Sequence, residues 1–229
     1  MAFAIIAAGG RGTRLGGPTP KFEVQLAGRP VLMHSLEVFE SAPSIEAIVL
    51  VVPEDRVDDW DAGSLKRRGV AKLLATVPGG ETRQESVRRG LERLAGETGV
   101  VVVHDAARPL VTVETIEAAC KVPDHVDGVI TAIAVTDTIK CVDGVTVTGT
   151  PDRERLVAVQ TPQAFRIEVL AGAHASALVA GFTGTDDAAL VERAGGLVGV
   201  IEGSRENIKV TFQEDVAIAE AILLERRKG

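Results

Sequence analysis

The sequence predicts an α/β fold: a doubly wound, mostly parallel sheet with helices on both faces and a projecting β-arm. Three observations predict it. Short apolar runs rich in β-branched residues alternate with segments of helical period. Glycine-rich and charged stretches fall at the ends of those runs. One segment, about residues 137–155, replaces the alternation with a hairpin pattern. At 229 residues and 45% hydrophobic, the chain can bury a large core as one domain over residues 1–229.

The elements follow in order. FAIIA is a strand, followed by the loop AAGGRGTRLGGPTPK over residues 7–21. PVLMHSLEVFESA is helical from Val31, because Val31, Leu32, Leu36 and Phe39 make one apolar face and Pro30 suits a helix start. IEAIVLVV is a strand and Pro53 to about Arg68 a helical stretch; KLLATV leads into the helix TRQESVRRGLERLAG, and VVVVH into VTVETIEAACK. Strands separated by helices of this length predict parallel βαβ units with right-handed crossovers. GVITAIAV follows, and then DTIKCVDGVTVTGTPDRERL, where β-branched residues flank Asp143-Gly144 and predict the arm. After QTPQAF come helical stretches at roughly Ile167 to Ala180 and Asp186 to Ala194, then LVGVIE, the β-like run ENIKVT, and a last helix from about Glu214 to Arg227.

Composition excludes several function classes. The opening apolar run is far shorter than a membrane span and lacks a basic lead or cleavage signal, so a cytoplasmic protein is expected. Cys120 and Cys141 lie far apart, and His34, His104, His125 and His174 have no metal-ligand spacing, so neither a disulfide framework nor a zinc site is expected. A net charge of −7 argues against nucleic-acid and acidic-membrane partners. An anionic ligand must therefore meet locally placed cations.

In an open parallel sheet, ligands bind beyond the carboxyl ends of the strands. Four loops there carry concentrated chemistry. In AAGGRGTRLGGPTPK, glycine backbone can approach a phosphate closely while Arg11, Arg14 and Lys21 neutralise it. It is neither a Walker loop nor a dinucleotide fingerprint, since Gly10, Gly12 and Gly16 have the wrong spacing. In VPGGETRQESV, the pair Gly79-Gly80 precedes Arg83 and Ser86, while Thr82 and Glu85 read as a capping box. In VVVHDAARPL, a strand delivers His104, Asp105 and Arg108; Asp105 could hold Mg2+ or form a local ion pair with Arg108, and a lone His104 is a structural hydrogen-bonding group. In RENIKVT, Lys209 stands inside a β-like run, where a lysine is ordinarily a solvated edge residue.

Taken in order, AAGGRGTRLG with its following PK, GGETRQESV, HDAARPL, VTDTIK, DRERL, VQTPQAF, GTDDAALVE and EGSRENIKVT resemble the cytidylyltransferases that join CTP to 2-C-methyl-D-erythritol 4-phosphate. The resemblance implies a Rossmann-like fold of the nucleotide-diphospho-sugar transferase type. It also implies an in-line attack by the acceptor phosphate on the α-phosphorus of CTP, with pyrophosphate leaving. In that likeness Arg14, Lys21 and Lys209 would be catalytic, neutralising the triphosphate and the developing charge. Asp105 would bind Mg2+ or another divalent cation. Backbone at Ala8, Gly9, Gly10 and Gly12 would cradle the nucleotide, with Gly80, Arg83 and Ser86 around cytosine and ribose. Arg108 and Thr161 would meet the polyol phosphate, and the arm of one subunit would supply Thr138 and Arg153 to its neighbour's site, which implies a homodimer. The first loop also resembles ribitol 5-phosphate cytidylyltransferases, which stand as the alternative acceptor class; a catalytically silent nucleotide-binding module is the other alternative.

Overall fold

Burial alternates along the first strand, and that alternation organises the molecule. In the computed structural model, which describes residues 1–9 and 20–228, β1 spans Ala2–Ala7. Ala2, Ala4 and Ile6 join one apolar cluster and Phe3 and Ile5 the opposite one, as the two-residue period of a strand requires. Both faces are covered, which is why the run is apolar at every position.

A small ladder of β2 (Gln25–Leu26) and β3 (Arg29–Pro30) precedes α1 (Val31–Ser41) and β4 (Ile45–Val52). Next come α2 (Ala62–Arg67), β5 (Leu73–Pro78), α3 (Arg83–Glu92), β6 (Val100–Asp105), α4 (Val113–Ala119) and β7 (Gly128–Ala134). The arm is the hairpin β8 (Cys141–Asp143) and β9 (Thr146–Gly149). The chain returns through β10 (Val157–Arg166), α5 (Ile167–Val179), α6 (Asp187–Arg193), β11 (Val198–Glu202) and α7 (Gln213–Arg226). The main sheet has the order β11-β7-β10-β6-β1-β4-β5. Leu32, Leu36 and Phe39 of α1 and Ile116 of α4 fill the core on one face; Val87 and Leu91 of α3, Leu170 of α5 and Val191 of α6 fill the other.

Every strand pair in this sheet is parallel except those of β10, which is antiparallel to both β6 and β7. No α-helix lies between β7 and β10, only the arm and a short 3-10 turn at Arg153–Arg155, so the chain re-enters the sheet as a hairpin does rather than by a crossover. A third apolar cluster, with Leu26, Leu110, Val210, Val216 and Ala219, seats α7 and the segment before it beside the end of β6.

Three expectations are corrected in detail. The stretch from Pro53 to Arg68 is not one helix: it holds a short turn at Glu54–Arg56 and then α2, which restarts where the Asp61 carboxylate accepts Ser64 N–H at 2.5 Å. Pairing of Asp143 with Thr146 moves the arm's turn to Gly144-Val145, and Gly144 takes the positive φ of 57° that the first residue of a type II′ turn needs. Residues 206–211 form no strand; Ile208 and Val210 are apolar because they cover the third cluster, not because they pair in a sheet.

Helix α3 lies close on the sheet because Gly90 has no side chain: a Cβ there would stand 2.8 Å from Ile5 Cγ2 and 3.3 Å from Val51 Cγ2. Both neighbours are fully buried. Although alanine favours helix, Gly90→Ala is expected to destabilise the protein by about 1–2 kcal/mol through overpacking. Urea unfolding measures this, and an unchanged or raised midpoint would contradict the close packing.

Candidate active site

Strand β6 ends in a buried carboxylate. Asp105 Oδ1 accepts from Arg83 Nε at 2.8 Å and its Oδ2 from Lys209 Nζ at 2.6 Å. Burial disfavours the charged form, but Arg83 and Lys209 outweigh it and hold the Asp105 carboxyl well below the usual carboxylate range. Arg83 also donates through Nη1 to Asp187 Oδ2 at 2.7 Å, so two carboxylates stand against two cations. Balanced in this way, the cluster can be buried where a lone charge could not.

The backbone beneath Asp105 is locked by a second network. Strand β10 breaks register with β7 between Gln160 and Gln163, and its pairing with β6 extends from Arg166 only as far as Gln163, opposite Val103. The Thr161 hydroxyl fills the place of a ladder partner: it accepts Asp105 N–H at 3.0 Å and meets His104 Nδ1 at 3.1 Å. His104 Nε2 lies 3.1 Å from the Arg108 carbonyl, which can only accept, so Nε2 carries the hydrogen and Nδ1 accepts from Thr161. His104 is fully buried against Phe39, with ring centroids 5.1 Å apart. Burial pushes its pKa down to about 4, outweighing the opposing pull of the nearby Asp105 charge. His104 is thus the structural hydrogen-bonding group that its isolation suggested.

Lys209 reaches the site by the segment before α7. Val210 N–H donates to the Ala107 carbonyl at 2.8 Å, and the buried Asn207 amide donates to the Thr161 carbonyl at 2.9 Å. Arg108 does not pair with Asp105 as its spacing allowed. Its Nη1 donates to the Asn207 carbonyl at 2.7 Å and its Nη2 to the Val159 carbonyl at 3.4 Å. Lys209 takes Asp105 instead, because the third cluster brings residues 206–211 alongside β6.

The glycines meet where β1 and β5 end. The buried Ala8 extends β1 by donating to the Val51 carbonyl, and Gly79 N–H donates to the Val52 carbonyl, both at 2.7 Å. A Cβ on Gly9 would stand 2.9 Å from Ser86 Oγ, and one on Gly79 would stand 3.0 Å from the same atom and 3.3 Å from Gly9 Cα. The two backbones therefore run side by side over Ser86. Ser86 Oγ accepts Gly80 N–H at 3.0 Å and donates to the Thr82 carbonyl at 2.9 Å. Only half the capping box forms: Thr82 accepts from Glu85 N–H, but the Glu85 carboxylate accepts from Glu81 N–H and Arg89.

Lys21 opens a short turn, Lys21–Glu23, held by Phe22 packed edge-on against Trp60 and by Trp60 Nε1 donating to Glu23 at 3.1 Å. Thr138 is exposed at the base of the arm, and Arg153 donates to the Thr136 carbonyl at 3.2 Å. Gly10, Gly12 and Arg14 lie outside the described residues, as does Arg11. Sequence reasoning left Asp187, His174 and Asn207 without roles. Asp187 was hidden by its neighbour, since Asp186 is an ordinary helix cap whose carboxylate accepts Ala189 N–H.

Among the described residues no group of three or more His, Cys, Asp or Glu could hold a metal ion. A single ionised carboxylate nevertheless suits a cation that arrives with a triphosphate, whose oxygens and waters fill the other positions. Each Asp105 oxygen uses one lone pair on its cationic partner and keeps another. The donor set therefore fits such a cation.

An α/β sheet whose strand ends bring a charge-balanced cluster and close-packed glycine backbones together has the features of a site for an anionic ligand such as a nucleotide. The family model IspD, 2-C-methyl-D-erythritol 4-phosphate cytidylyltransferase, matches residues 2–225. Proteins of that name from Geobacter metallireducens and Geobacillus kaustophilus are 41% and 44% identical, over 98% and 97% of both chains respectively. The crystal structure of the 4-diphosphocytidyl-2C-methyl-D-erythritol synthase from Anaerococcus prevotii is similar with a TM-score of 0.86 and 30% identity, covering 97% of this chain and 98% of that one. The chain belongs to the 2-C-methyl-D-erythritol 4-phosphate cytidylyltransferase family, a family of enzymes. Neither the ribitol phosphate alternative nor a silent binding module is favoured.

The His104 value sets a pH window. Its folded value of about 4 lies below the unfolded 6.5, so between these the unfolded chain binds the proton first and stability falls as pH falls. Urea unfolding is expected to show a loss of roughly 2–3 kcal/mol from this group between pH 7 and pH 4.5. His104→Asn should flatten that slope; an identical slope in the variant would count against a buried neutral imidazole.

Proposed function

We propose that this chain transfers the cytidylyl group of CTP to 2-C-methyl-D-erythritol 4-phosphate, with the groups around Asp105 as its reaction centre. The observation that carries the assignment is the Arg83–Asp105–Lys209 contact at the end of β6. It gathers a fixed cation, a carboxylate and a half-exposed ammonium at the same end of the sheet as the paired glycine backbones.

The acceptor phosphate oxygen attacks the α-phosphorus while the bond to pyrophosphate breaks, with no covalent enzyme intermediate. The protein's task is then positioning and charge neutralisation. Lys209, whose side chain is 44% exposed, rests on Asp105 and moves to the α-phosphate when nucleotide enters. Arg14 and Lys21 neutralise the triphosphate. Asp105 holds Mg2+ or another divalent cation, which when bound offsets the charge of the phosphate oxygens. Backbone at Ala8, Gly9, Gly10, Gly12 and Gly80, with Ser86 and Arg83, forms the nucleotide side, and Arg108 and Thr161 form the acceptor side.

The arm completes the site from a second subunit. Val142, Val145 and Val147 are more than half exposed on a hairpin of only two strands. Such a hairpin is marginal alone and bears an apolar surface that a second copy would cover. In the homodimer, Thr138 and Arg153 reach the neighbour's acceptor phosphate.

Pyrophosphate release tests the assignment. Lys209→Ala is expected to keep the fold and lower kcat by ~100-fold or more, the scale of removing one transition-state donor. Near-normal turnover would sink the assignment. For the shared site, mixing Arg153→Ala and Lys21→Ala subunits should recover activity that neither has alone, because one hybrid site regains both residues; absence of recovery in confirmed hybrids would exclude sharing.

A further inference from the structure

The charged contacts do not stop at Arg83. Asp187, 1% exposed, is the first residue of α6, and its two oxygens serve two partners: Oδ2 takes Arg83 Nη1 at 2.7 Å, and Oδ1 lies 3.1 Å from His174 Nε2 on α5. Burial disfavours the Asp187 charge, but Arg83 and the His174 hydrogen bond outweigh it and hold the carboxyl low. An ionised carboxylate only accepts, so His174 Nε2 donates.

Helix capping does not account for this arrangement, because Asp186 performs it. Nor does packing, since an aliphatic side chain would fill the same place without desolvating a charge. The planar guanidinium supplies the reason. Its nitrogens are fixed relative to one another, so anchoring Nη1 sets the direction in which Nε points. Arg83 Nε points at Asp105, whose other oxygen carries Lys209.

We infer that Asp187 and His174 are positioning residues for cytidylyl transfer. The pair holds the Arg83 guanidinium in the orientation that fixes Asp105 and, through it, the resting place of Lys209. Neither residue touches reacting atoms, and the inference rests on the assignment of Asp105 and Lys209 proposed above.

Steady-state kinetics of the full chain, with a melting temperature for each variant, test it. Asp187→Asn is expected to lower kcat by roughly 10- to 100-fold and to leave the KM for methylerythritol phosphate within about twofold. In a Lys209→Ala background the same substitution should cost less than about threefold more, because the group it positions is gone. His174→Leu should lower kcat by about fivefold, and His174→Gln, whose amide N–H can replace Nε2–H, should return it to within about twofold of wild type. A kcat within about twofold of wild type for Asp187→Asn, or losses that multiply fully with Lys209→Ala, would overturn the inference. If Asp187→Asn does not fold, the His174 pair decides: rescue by glutamine supports positioning, and equal loss in both variants rejects it. Full turnover by Lys209→Ala removes the site assignment and this inference together, whereas a slow Lys209→Ala beside a fast Asp187→Asn removes the inference alone.

Discussion

The carboxylate of Asp105 cannot be buried by itself, and much of the molecule follows from how it is balanced. Its cations come from opposite directions in sequence, Arg83 from 22 residues before and Lys209 from 104 after. For both to arrive, α3 must lie on β1 and β4, and the segment before α7 must fold back along the end of β6. Two apolar clusters achieve this. Hydrophobic burial supplies the stability, while the pairing of the charges offsets the cost of burying them.

The site has a stiff side and a loose side. Below Asp105, the His104–Thr161 network and the Asn207 amide are buried and bonded to backbone, which ties down the strand end. Above it, Lys209 is half exposed and tethered through one ion pair. Phosphate chemistry suits this division, since a preorganised frame limits reorganisation while a single long cation can change partners.

The strands, the arm and the chemistry-bearing loops were legible because period and turn chemistry are local properties. The antiparallel course of β10 was not, because direction depends on what lies between two strands in space. The Asp105–Arg108 pair suggested by spacing gave way to Asp105–Lys209, and Arg108 turned to the carbonyls of Asn207 and Val159. Thr161 and His104 could be named as candidates, yet their shared hydrogen bond exists only because β10 pulls away from β6 at that point.

From sequence alone came the doubly wound sheet, the glycine and cation loops at its strand ends, and a family resemblance carried by motifs along the chain. These survive because each is written in adjacent residues: an apolar period, a glycine pair, a charged strand end. Which cation meets which carboxylate was decided only by tertiary structure. Arg83 and Asp187 are 104 residues apart, and nothing local couples them. They meet only once α3 and α6 pack on one face of the sheet, because groups so far apart in sequence come together through tertiary structure alone.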